Sequence, residues 1–150
     1  MSMIQLERKQ GFLHGAVTNG GSFSIESTTL AVGNFVMKNP RATISVDTNV
    51  VVFVTCEVAI ASGTVADHVY AQLMASSDSG TTWSPIGQPI PVYPAGTLQY
   101  NSVSLATTHV PATTGEIVYG ISIGNPPGSP SSNVVYALTY RSITAIAMMA

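Results

Sequence analysis

The chain has 150 residues, only 8% of them charged, and a formal net charge of −2 at pH 7. That length suits a single domain that buries roughly 68–70% of its unfolded surface without a metal or disulfide staple, and the charge excludes the basic footprint that nucleic acid or an anionic membrane demands. Between Arg41 and Arg141 there is no Lys or Arg, although Asp47, Glu57, Asp67, Asp78 and Glu116 fall there; no ion pair can form within that stretch, so the fold must rest on apolar burial and backbone hydrogen bonds.

Residues 1–40 carry Glu7, Arg8, Lys9 and Lys38 between Gly-rich breaks and are expected to supply an edge strand or a docking arm, with turns at Asn19-Gly20-Gly21 and Lys38-Asn39-Pro40. The opening residues, Met1 to Lys9, lack the apolar block of a secretory signal. A domain is expected over 41–150, where the apolar period is two. Ala42, Ile44 and Val46 alternate with polar neighbours, as do Val69, Ala71 and Leu73, and then Ile117, Tyr119, Ile121 and Ile123. The run Val50 to Ile60 is apolar nearly throughout. Turn signals separate these strands at Ala61-Ser62-Gly63, Ser77-Asp78-Ser79-Gly80, Tyr93-Pro94-Ala95-Gly96 and Gly124 to Pro130. The last element, Tyr136 to Met149, reads as a strand because Ile143, Thr144 and Ile146 are β-branched; its second half is apolar on both faces and calls for a cover on each. No stretch approaches the ~18 apolar residues of a membrane span. Eight or so strands at this spacing make an antiparallel sandwich or barrel.

Candidate chemistry is sparse. Cys56 is the lone cysteine and shares strand parity with Val52, Val54, Val58 and Ile60, which points to a buried, inert thiol. His14, His68 and His109 show no metal-ligand spacing and read as scattered surface residues. Asp67-His68 beside abundant serines lacks the Gly-x-Ser-x-Gly context of a nucleophile, so no enzyme activity and no cofactor are expected. Asp47, Glu57, Asp67 and Asp78 offer hard-cation oxygens, but without the Asp-x-Asp-x-Asp run of a calcium loop.

One motif is specific. Ser76-Ser77-Asp78-Ser79-Gly80-Thr81-Thr82-Trp83 matches Ser-x-Asp-x-Gly-x-Thr-Trp at every defined position and resembles the Asp-box of sialidases and related propellers. It reads as a structural hairpin built by Ser76, Asp78, Gly80, Thr82 and Trp83: the carboxylate accepts turn N–H groups, the glycine takes positive φ, and the indole folds back on the sheet. A sugar-stacking Trp83 is the functional alternative.

Three stretches, Arg41 to Val58, Val110 to Ile121 and Arg141 to Ala147, resemble the C1q and tumour-necrosis-factor-like superfamily, especially its bacterial and phage members. The resemblance implies an antiparallel jelly-roll β-sandwich of ten strands that forms a homotrimer through apolar and aromatic faces; Phe53, Tyr119, Tyr136, Ile146 and Met148 are the expected interface residues. No collagen-like Gly-x-y stem precedes the domain. The resulting expectation is a non-enzymatic structural protein on a virion, as capsid decoration or tail, or on a spore or cell surface, docked to a larger protein assembly. The alternative is a carbohydrate- or receptor-binding module that uses loop aromatics such as Tyr93, Tyr100, Tyr136 and Trp83.

Overall fold

The computed structural model describes the backbone of residues 13–31, 34–62, 69–93, 100–125 and 133–150, and their side chains outside 21–34, 62 and 133–139. Within these residues lie eight strands: β1 (Leu13–Ala31), β2 (Asn34–Val46), β3 (Val50–Ser62), β4 (Val69–Ser76), β5 (Ser84–Val92), β6 (Asn101–His109), β7 (Gly115–Asn125) and β8 (Asn133–Met149). They form two four-stranded antiparallel sheets, sheet I in the order β1-β8-β3-β6 and sheet II in the order β2-β7-β4-β5. The chain passes repeatedly from one sheet to the other, which is the connectivity of an eight-stranded jelly-roll sandwich. The ten strands of the resemblance are thus eight among the described residues.

Alternation builds the core. Val52, Val54, Cys56, Val58 and Ile60 of β3 and Ile143, Ala145 and Ala147 of β8 point inward from sheet I, each at 1% exposure or less. Ala42, Ala71, Tyr119, Ile121 and Ile123 answer them from sheet II at 0%. Each buried Val or Ile stabilises the fold by about 1.5–3 kcal/mol relative to exposure. Burial also pushes the Cys56 thiol up to about 12, with the Glu57 charge adding to the shift, so its nucleophilic thiolate is suppressed.

Three sequence expectations are corrected. Asn19-Gly20-Gly21 is no turn: it lies within β1, with Gly20 opposite Ser142. Glycine serves close approach there, since a Cβ on Gly20 would sit 2.5 Å from the Ser142 Cα. Lys38-Asn39-Pro40 is no turn either; it lies within β2, where the register against β7 shifts between Lys38 and Ala42, a bulge that accommodates a residue with no N–H. The boundary at 40/41 therefore falls inside β2, and β1 is an edge strand paired along β8. Lys38 and Arg141, the cations near each end of the charge-poor interval, are both buried, at 6% and 3% exposure, and both are engaged within the fold. Arg41 is the one exposed cation among the described residues.

Candidate functional site

The β4–β5 connection is organised by a single carboxylate. Oδ1 of Asp78 accepts the Ser76 hydroxyl at 2.6 Å and the backbone N–H groups of Thr81 and Thr82 at 3.1 and 2.8 Å; Oδ2 accepts the Thr82 hydroxyl at 2.6 Å. The Ser76 oxygen in turn accepts the N–H of Gly80 at 2.9 Å. Ser79 and Gly80 take positive φ, 58° and 84°, to close the loop. Donation from the Ser76 and Thr82 hydroxyls, then from the loop amides, holds the Asp78 carboxyl down at about 2. Three of its four hydrogen bonds converge on Oδ1, which commits the carboxylate to holding the loop.

Trp83 closes the motif. Its Nε1 donates to the Gly80 carbonyl at 3.0 Å, and its six-membered ring lies over Gly120 of β7, where a Cβ would come within 3.3 Å. The Arg41 guanidinium sits 5.1 Å from the ring centroid, a cation–π contact that sequence spacing could not reveal. Farther along β7, Phe35 packs over Gly124, its ring occupying the space a Cβ would need. Glycines alternating with core residues on one strand were the available signal: they leave room for rings on the outer face. In the next row the Gln72 amide donates to the carbonyls of Ile86 and Gly87, at 3.1 and 3.0 Å, where the β4–β5 register shifts. All residues from Ile117 to Asn125 are consequently buried.

The outer face of sheet I differs. Phe53 of β3 lies directly opposite Ile146 of β8, and Val51 lies opposite Met148. Phe53 and Met148 remain 37% and 36% exposed. The next rows are small and mostly hydroxylic: Thr18, Thr144, Thr55 and Ala106, then Gly20, Ser142, Glu57 and Ser104. Glu57 is the single charge on these rows. Three expected interface residues, Phe53, Ile146 and Met148, thus share one patch.

Tyr119 does not join them, which corrects that expectation. It shares parity with Ile117, Ile121 and Ile123, is 0% exposed, and its hydroxyl lies 2.8 Å from Nδ1 of His109. The rings meet edge to face, with centroids 5.6 Å apart. Burial raises the Tyr119 phenol and lowers the His109 imidazole, which favours the neutral form of both, and the imidazole tautomer decides which of the two donates across this bond. His109 is therefore no scattered surface residue: it ties β6 of sheet I to β7 of sheet II. His14 is exposed on β1. Tyr136 is opposite Ser62 in register, with its side chain outside the described residues, as are His68 and Asp67. Asp47, Glu57 and Asp78 lie on separate elements, and among the described residues no cluster of three or more His, Cys, Asp or Glu gathers.

No protein-family model matches the chain, and no curated protein matches its sequence. Similar solved structures include that of infectious bursal disease virus Gx strain, at 8% identity and TM-score 0.49, covering 91% of this chain and 37% of that one. The CBM22-1 xylan-binding domain from Paenibacillus barcinonensis Xyn10C follows at 11% identity and TM-score 0.41, covering 94% and 90%. TmCBM61 in complex with β-1,4-galactotriose has 10% identity and TM-score 0.36, covering 91% and 92%.

Proposed function

We propose that this chain is a non-enzymatic assembly protein, a homotrimer that associates through the outer face of sheet I and decorates a larger protein assembly such as a virion or a spore surface. The observation that carries the reading is the patch of Val51, Phe53, Ile146 and Met148, apolar, partly exposed and without a cation on its rows. Water contact with such a patch is unfavourable, and a closed interface between copies removes it. Glu57 lies two rows from Phe53, where an interface rim would keep it solvated.

Light scattering behind a sizing column tests this. Three chains per particle are expected at micromolar concentration, unchanged in high salt because few charges are available to screen. A mass of one chain overturns the reading. The competing role, a carbohydrate- or receptor-binding module, is favoured by Tyr93 and Tyr100, 63% and 39% exposed at the facing ends of β5 and β6, where the Asn101 amide holds the Tyr93 carbonyl. Trp83 is a poorer platform, having its Nε1 and ring already engaged. Binding on a glycan array by a monomeric protein would favour that second role.

A further inference from the structure

A cleft of about 190 Å³ lies between the Asp78 hairpin and the loop that follows β6. Ser77, Ser84, Thr113 and His109 line it as polar residues, with Pro111 and Ile117 as apolar ones. The His109–Tyr119 bond engages Nδ1 and leaves Nε2 as the second polar atom of the ring. Neither that nitrogen nor the three hydroxyls has a protein partner among the described residues. Ser76 and Thr82, also on the wall, are committed to Asp78. No Lys, Arg, Asp or Glu lines the cleft.

We propose that this cleft binds a small uncharged polyhydroxyl ligand, the size of one sugar ring. Size limits the ligand to a single ring, since pockets for drug-sized molecules run to ~300–1,000 Å³. Charge excludes the alternatives: an anion finds no cation on the walls, and a metal ion finds one imidazole with no free carboxylate. What remains is a set of donors and acceptors beside apolar surface, which suits alternating hydroxyl and C–H faces. The site is separate from the outer face of sheet I, so its test does not depend on the oligomeric state.

Amide and imidazole NMR of the full chain provides that test, with methyl β-glucoside, methyl β-galactoside, N-acetylglucosamine and glucose 6-phosphate titrated to several times a Kd of about 1 mM, as befits so small a ligand. At least one uncharged probe should give saturable shifts at Ser77, Ser84, Thr113 and the His109 ring. Ala112→Trp, placed on the exposed loop to fill the cleft, should abolish them while leaving the melting curve in place; Thr113→Trp serves the same purpose should that variant unfold. His109→Gln should weaken binding about tenfold, the loss of one good hydrogen bond. Absence of saturable shifts with every uncharged probe overturns the proposal, as do shifts that survive both blocking variants. Equal or tighter binding of glucose 6-phosphate overturns the uncharged class.

Discussion

β7 and β8 hold equivalent places, each an interior strand of a four-stranded sheet, yet their outer faces are finished differently. β7 is buried on both sides because its own sheet supplies the cover: Trp83 over Gly120, Phe35 over Gly124, and Gln72 capping the carbonyls of the neighbouring bulge. β8 has Ser142, Thr144 and Ile146 only half-buried and Met148 exposed. Both strands carry apolar sequence, so composition does not explain the contrast. Glycine spacing does: Gly120 and Gly124 leave hollows for rings, whereas β8 has side chains at the equivalent outward positions. One sheet is closed by its own residues, and the other presents its face outward.

The sharpest way to break this comparison is to charge the open face. Phe53→Asp should cut the solution mass threefold, from trimer to single chain, with the sandwich still folded by circular dichroism; a trimer that tolerates the change would show that the bare face is not the contact. Removing the cover of the closed face comes next. Trp83→Ala should cost about 2–4 kcal/mol, below or within the ~3–5 of a fully buried indole, and lower Tm by roughly 4–16 °C. Melts that overlay the parent would mean the hairpin does not cap β7.

Acid should act in two steps, one confined to strong acid and a second that begins closer to neutral pH. The Asp78 carboxyl is held at about 2 against an ordinary 3.8, so its contribution is fully present above that ordinary value and is lost as pH falls through the interval. Asp78→Asn should flatten stability there. His109 is lowered by burial from an ordinary 6.5, so the unfolded chain takes up a proton first and stability declines as pH falls below that value. His109→Gln should remove this milder slope in urea titrations run across the acid range. The smallest effect is expected at Cys56, whose labelling by DTNB should be slow until denaturant is added; rapid stoichiometric reaction would place the thiol outside the core.

Most strands were legible because a half-buried sheet writes its geometry every second residue, as Ala42, Ile44 and Val46 or Ile117 to Ile123 show. The same parity already placed Tyr119 beside core residues; its assignment to an interface came from resemblance and went against its neighbours. Asn19-Gly20-Gly21 and Lys38-Asn39-Pro40 misled because Gly and Pro signal a departure from regular pairing without saying whether it is a turn, a bulge or a close approach. The hairpin residues were readable as a group since their contacts are local, within a few positions of Asp78. The partners Arg41 for Trp83 and Tyr119 for His109 depend on which strands become neighbours, and a local pattern does not carry that information.

The place of β8 between β1 and β3 has a consequence for timing. Residues 133–149 must be inserted between strands that lie far earlier in the chain, so sheet I cannot close while those residues are still unmade or unbound. Such long-range closure is slow, and it leaves the inner edges of β1 and β3 briefly available to other chains. Ile146 and Met148 arrive with that same strand. The apolar patch on the outer face of sheet I is therefore complete only with the step that completes the fold.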